Sequence, residues 1–289
     1  MPSPLTSLTT ALQSFKATLL THPSKATLIG ISGGPSSGKT TLAHLVAATI
    51  PIAFTVDQND FLLAEAELPN HSTDVKDANC PAAFDMSDFL RVLDHVRAHG
   101  ELPDWFQAKQ IPAATAGAIK SIGDKTVAEV KEAFDAAEVR FDKPVVIVDG
   151  PFLYHDREVC ARLHVRLMTR PSYPAAKKRR LAGAGRIVPI GLQYRTHEYF
   201  DQVVWPSYVE EYGFLFQDDN VEGGLRRLTV EMMDVKVQPE LDGNMADVLQ
   251  WAIGVVTKDI GITERDFELC NCHIQLLRDV IKYGEDLLG

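Results

Sequence analysis

The chain has 289 residues, 45% hydrophobic and 24% charged, an ordinary globular composition that fits one large α/β domain with appendages. Its formal net charge of −10 argues against a long nucleic-acid groove, and no segment approaches the roughly 18 apolar residues that a membrane-spanning helix needs. The four cysteines, Cys80, Cys160, Cys270 and Cys272, form no CxxC pair; they support neither a zinc site nor a disulfide framework and read as reduced thiols of an intracellular, cytoplasmic protein.

Leu5, Leu8, Leu12, Phe15 and Leu19 recur at helical spacing and predict a helix within residues 1–26 that docks on the domain. This stretch is Ser/Thr-rich and free of acids up to residue 25, like a transit peptide, but it lacks the basic and apolar regions of a secretory signal. Residues 27–32 (TLIGIS) predict a buried strand, Gly33 to Ser37 a loop, 39–49 a helix and 53–57 a second strand. Strand, helix, strand is the βαβ unit of a parallel sheet. Residues 84–99 read as helical. The stretch 101–124 is broken by Pro103, Pro112, Gly117 and Gly123, and 127–138 is amphipathic through Val127, Val130, Phe134 and Ala137. The continuous apolar run VVIVD (145–149) suits a central strand covered on both faces. A fourth strand is expected at 164–168, a helix at 173–182, a fifth strand within 228–237 and a helix at 244–258. A last helix, 265–288, carries Cys270, Ile274, Leu277, Ile281 and Leu288 on one face.

The segment GGPSSGKT, Gly33 to Thr40, matches G-x-x-x-x-G-K-[ST] at every fixed position, and it follows a predicted strand and opens a predicted helix. Glycines let backbone wrap closely around a phosphate, whose charge is met by converging N–H groups and the helix dipole. Gly33, Gly34, Pro35, Ser36, Ser37, Gly38, Lys39, Thr40 and Thr41 are therefore the expected nucleotide cradle. Lys39 would reach the β/γ oxygens and Thr40 would ligate Mg²⁺. Asp149 closes an apolar strand, where the Mg²⁺-holding acid of P-loop proteins is expected; the plainer reading is an acid that caps the turn before Gly150.

A P-loop alone spans GTPases, ATPases and kinases, and no N/T-K-x-D base-reading signature stands in a suitable place. The stretches IGISGGPSSGKTTLA (29–43), VVIVDGPFLY (145–154), RPSYPAAKKRR (170–180) and YFDQVVWPSYVEEYGFLFQDDNVEG (199–223) resemble the nicotinamide riboside kinases, fungal members above all, within the uridine kinase-like group. The similarity covers most of 27–258. It implies a P-loop fold with a five-stranded parallel sheet flanked by helices over 27–260 and a lid near 177–198; the helical extension at 261–289 has no counterpart in the family. It further implies ATP and Mg²⁺ as cofactors and transfer of the γ-phosphate to a ribose 5′-hydroxyl.

Departures from the family pattern gather where the acceptor would bind. The family's pair of acids followed by Phe is here Asn59-Asp60-Phe61 after Asp57-Gln58, which puts Asn59 at the base position. An amide oxygen is barely basic, so Asp57 or Asp60 would have to substitute, although adjacent strand residues point to opposite faces. The family's aromatic and acid of a second segment are Ala78 and Asn79. Asn59, Asp60, Phe61 and Asn79 are the expected acceptor contacts. Arg179 and Arg180 match the family's paired arginines and would clamp the transferring phosphate; a solvated basic face over Lys177 to Arg180 is an equal reading, and KKRR as a nuclear address a weaker one. The lid arginine expected next is Gly183, with Arg186 three residues further. Asp218, Asp219 and Asn220 fall in the family's adenine-proximal loop or form a simple turn.

Two functions are expected from this pattern. One is an ATP-dependent small-molecule kinase whose acceptor is nicotinamide riboside or another nucleoside, with no nucleic-acid or membrane partner. The other is a nucleotide-binding pseudokinase, for which the helix 265–288 would supply a protein-contact surface.

Overall fold

The computed structural model describes residues 24–72, 75–108, 117, 127–132, 140–182 and 196–260. β1 (Thr27–Gly33) runs through the centre, buried from Leu28 onward, and its last residue opens the loop into α1 (Lys39–Thr49). β2 (Ala53–Asp57) follows and passes directly into a 3₁₀ turn, Gln58–Phe61. A small antiparallel hairpin, β3 (Asn70–Ser72) and β4 (Val75–Lys76), precedes α2 (Met86–His99). β5 (Val145–Asp149) is buried at every residue. α3 (Arg157–Arg162), β6 (Val165–Thr169) and α4 (Tyr173–Leu181) come next. Then α5 (His197–Tyr199) leads through a π turn, Phe200–Val204, into α6 (Trp205–Tyr212). The described chain closes with α7 (Arg227–Met233), β7 (Val235–Val237) and α8 (Met245–Ile260).

The main sheet has five strands in the order β2-β5-β1-β6-β7, every pair parallel. Because strand side chains alternate between faces, successive residues feed two separate cores. Leu28, Val146 and Val148 pack with Phe89, Leu93 and Val96 of α2 and with Tyr208 and Tyr212 of α6. Ile29, Ile31, Ile147 and Leu167 pack with Leu42, Leu45 and Val46 of α1 and with Leu249, Ala252 and Val256 of α8. A third cluster joins Leu68, Ala78 and Phe84 to Phe152, Tyr199, Phe200 and Val204. It ties the region of the hairpin to the π turn. No described helix is long and apolar enough to cross a membrane.

The expected strand within 228–237 is mostly helix: α7 occupies Arg227–Met233, and only Val235–Val237 extend. Leu, Glu and Met favour a helix as readily as an apolar run favours a strand, and Asp234, left-handed at φ 53, ends the helix. The fourth strand starts one residue later than expected. His164 instead stitches β6 to β1, accepting the Leu28 N–H at Nδ1 (3.0 Å) and donating its own N–H to Leu28 O. The expected helices within 1–26 and at 265–288, most of the stretch 101–124, Gly183 and Arg186 lie outside the described residues.

Phe89 is fully buried between sheet and helix. Phe89→Ala should cost about 3–5 kcal/mol, read as a lower urea midpoint with an unchanged slope.

Candidate active site

Gly33, the last residue of β1, sits at φ +134, and a Cβ there would lie 2.1 Å from the Thr169 carbonyl oxygen. The loop therefore presses its backbone against the end of β6. A Cβ on Gly34 would meet Pro171 at 2.5 Å. Ser36 (φ 52) and Gly38 (φ 89) are both left-handed, which curls the loop into the concave form that binds anions. α1 then starts with no side-chain cap and no acid in its first turn, so no side chain competes with an anion for its amino end. Ser37 Oγ and Thr169 Oγ1 lie 2.6 Å apart, and Gly34 N–H reaches Thr169 O at 3.4 Å. Behind the loop, buried Ser32 donates to Gly150 O (2.7 Å) and shares a 2.5 Å hydrogen bond with the Tyr212 hydroxyl. α6 thus braces the strand that carries the loop.

Lys39 folds back over this loop and donates from Nζ to Gly34 O at 2.7 Å. Desolvation pushes its pKa down to about 8, against the pull of Asp149 and Asp57 and with the help of Arg180. A bound polyphosphate would favour the charged form again. Thr40 Oγ1 donates to Asp149 Oδ2 at 2.7 Å, and Asp149 is 1% exposed. This hydroxyl and carboxylate are hard oxygen donors of the kind Mg²⁺ takes. Among the described residues no cluster of three or more His, Cys, Asp or Glu would hold a metal ion by itself. A divalent cation here would complete its shell from phosphate and water, as Mg²⁺ habitually does.

The basic run divides by helix face. Lys177 is tied to Asp201 (2.7 Å) and to the Tyr173 hydroxyl, and Lys178 is exposed. Arg179 instead reaches Ser36 O of the loop at 3.5 Å and Asp242 at 3.8 Å, and the charge of Arg180 acts on Lys39. Arg170 lies under the following loop, donating to Gly223 O (2.7 Å) with its guanidinium 5.0 Å from the centre of the Phe216 ring. Asp218 and Asp219 there are left-handed, inside a tight turn closed by Gln217 N–H to Gly224 O and Gly223 N–H to Asn220 O, each 2.8 Å.

At the end of β2, Asp57 pairs in register with Asp149, so both carboxylates leave the sheet at one level. The chain then turns instead of continuing as a strand, which removes the opposite-faces objection to Asp57 and Asp60. Asp57 Oδ1 accepts from Asn59 N–H (2.8 Å) and Asn59 Nδ2 (2.7 Å). Gln58 is fully buried and accepts the Phe152 N–H at 3.0 Å. Phe61 is buried too, stacked on Phe106 at 5.3 Å and tilted against Phe89 at 5.1 Å; Asp60 is half-buried. Asn79 lies on a different segment, where its Nδ2 donates to the Tyr199 hydroxyl (2.9 Å), which also takes the Ala78 N–H at 3.3 Å. His155 pairs with Glu211 on α6.

Sequence reasoning missed Ser32, Thr169, Tyr212 and Asp242. Ser32, the polar residue closing the apolar run LIGIS, was the one readable signal; the others act from distant segments.

A parallel sheet with order β2-β5-β1-β6-β7 that delivers a left-handed glycine loop to the amino end of α1 is the P-loop kinase fold. No protein-family model matches the chain. Known proteins do. It is 34% identical over 224 residues to a nicotinamide riboside kinase of Eremothecium gossypii, covering 75% of this chain and 87% of that protein. It is 28% identical over 234 residues to that of Schizosaccharomyces pombe, covering 80% and 96%, and 26% over 213 residues to that of Saccharomyces cerevisiae, covering 69% and 82%. The chain belongs to the nicotinamide riboside kinase family.

Two substitutions test the cradle by calorimetry with ATP. Gly33→Ala, blocked by both its φ and the Thr169 carbonyl, should abolish binding while α2 and its core stay folded. Lys39→Met should raise the Kd roughly 10- to 100-fold, the equivalent of about 1.5–3 kcal/mol for a hydrogen bond to a charged group.

Proposed function

We propose that the chain is an ATP- and Mg²⁺-dependent kinase that phosphorylates the 5′-hydroxyl of a ribosyl nucleoside, with nicotinamide riboside as the first acceptor to test. Family membership supports this reading, and the observation that carries it is the Thr40–Asp149 contact one residue from Lys39, a geometry suited to a polyphosphate with its cation. Phosphoryl transfer depends mostly on positioning and on neutralising charge. Lys39 meets the β/γ oxygens, Arg179 and Arg180 approach the transferring group from α4, and Thr40 with Asp149 would hold Mg²⁺. When bound, that ion supplies charge neutralisation on the phosphate oxygens. Asp57 or Asp60 takes the acceptor proton, a contribution of about 10²- to 10⁴-fold.

A second reading rests on the amides at Asn59 and Asn79, the latter engaged with Tyr199. Under it the protein binds ATP and regulates a protein partner, with residues 261–289 as the contact segment. A coupled ADP-release assay with Mg²⁺ and nicotinamide riboside, run beside uridine and a no-acceptor control, separates the two. Riboside-dependent turnover is expected, and Asp149→Asn should depress it at least tenfold if the acid holds the cation, since such charge stabilisation is worth several kcal/mol. ATP binding by calorimetry without turnover on any acceptor would support the regulatory reading.

A further inference from the structure

The 3₁₀ turn after β2 fixes its side chains by its period. With about three residues per turn, positions i and i+3 eclipse, so Gln58 and Phe61 share one side of the turn. That side faces inward: the Gln58 carbonyl takes the Phe152 N–H, and Phe61 packs on Phe89 and Phe106. Gly150 leaves the room this requires, since a Cβ there would lie 2.4 Å from Gln58 Oε1. Asn59 and Asp60 stand on the remaining sides of a turn anchored by those two buried side chains. Asn59 lies back on Asp57, with two donors converging on the single oxygen Oδ1 at 2.8 and 2.7 Å. Those two bonds hold Oδ1 in place. Asp57 itself ends β2 in register with Asp149, the acid paired with Thr40. The charge of Asp57 reaches Lys39, as does that of Asp149.

Resting on the kinase reading above, we propose that Asp57 is the carboxylate that takes the acceptor's hydroxyl proton, and that Asn59 is a positioning residue that holds it in place. The acceptor oxygen bonds to the γ-phosphorus as the bond from that phosphorus to the β–γ bridging oxygen breaks. The hydroxyl proton passes to Asp57, and ADP leaves with the electron pair. The amide at 59 and the acid at 57 are then a matched pair. A carboxylate at both positions would bring two like charges to the 2.7 Å now spanned by a hydrogen bond. Asn59 is therefore the amide that holds the Asp57 carboxylate by donating to it twice, not the vestige of a lost base.

The test measures kcat and KM for nicotinamide riboside, with MgATP affinity by calorimetry, in Asp57→Asn, Asp60→Asn, Asn59→Asp and the exchange variant Asp57→Asn/Asn59→Asp. A wild type that binds MgATP but turns over no acceptor overturns the kinase reading before any substitution is made. Given an active wild type, Asp57→Asn should lower kcat by about 100-fold or more, with KM and MgATP affinity little changed. Its loss should exceed that of Asp60→Asn by at least about tenfold. Asn59→Asp alone should also lower kcat. The exchange variant should recover most of what Asp57→Asn loses, because acid and amide have only traded places; a merely structural role predicts no such rescue. If Asp60→Asn is as damaging as Asp57→Asn, or if the exchange variant is no better than Asp57→Asn, the assignment is wrong. Should Asp57→Asn alone fail to bind MgATP, the exchange variant compared with Asp60→Asn carries the same decision.

Discussion

The carbonyl of Thr169 and the backbone of Gly33 approach so closely that no side chain fits between them, and this contact between the ends of β6 and β1 sets the position of the whole loop. Thr169 also meets Ser37 through its hydroxyl and Gly34 through its carbonyl. One residue at the end of a neighbouring strand thus grips the loop at three places. Close packing makes such a contact stiff, so Lys39 and Thr40, the first residues of α1, inherit a fixed starting point. Asp149 inherits the same frame through β5, which is hydrogen-bonded to β1 along its length. The geometry of the candidate site is in this sense a property of three adjacent parallel strands.

Much of this frame was readable in the chain. TLIGIS reads as a buried strand and VVIVD, apolar on both faces, as a central one, and GGPSSGKT between a strand and a helix has few structural alternatives. Legibility failed where local pattern is ambiguous or where contacts are remote. LTVEMMDVKV carries apolar residues compatible with either element, and the left-handed Asp234 that divides it is invisible to periodicity. The second strand ends at Asp57 as expected, but the strand alternation expected for the acids around it gives way to a turn, QNDF, in which the Gln58 amide is buried. That turn decides which acids can face the P-loop, so a local feature that was hard to read is also one with chemical consequence. The family relationship was legible because its motifs are long and contiguous, whereas the acceptor side depends on short segments brought together by the fold.

The basic helix α4 shows how one sequence run can hold two roles. Asp201 on the π turn takes both the Tyr173 hydroxyl and the Lys177 ammonium, and Tyr173 itself packs on Phe200 and Trp205. These contacts orient α4, and helical periodicity then carries Arg179 and Arg180 toward the P-loop side while Lys178 stays in water. A charge run that reads as undifferentiated in sequence is sorted by a single acceptor on a neighbouring element.

β7 is the outer strand on its side of the sheet, and it is only three residues long. Its central Lys236 is held by Asp234 at 2.6 Å and by Asp259 of α8 at 3.7 Å, so a fixed charge stands on an outer strand that pairs with one neighbour. An incoming strand from another molecule would find a short ladder and would have to displace or bury that ion network. The same three residues that complete the nucleotide-binding sheet therefore also discourage it from growing into a larger, intermolecular one.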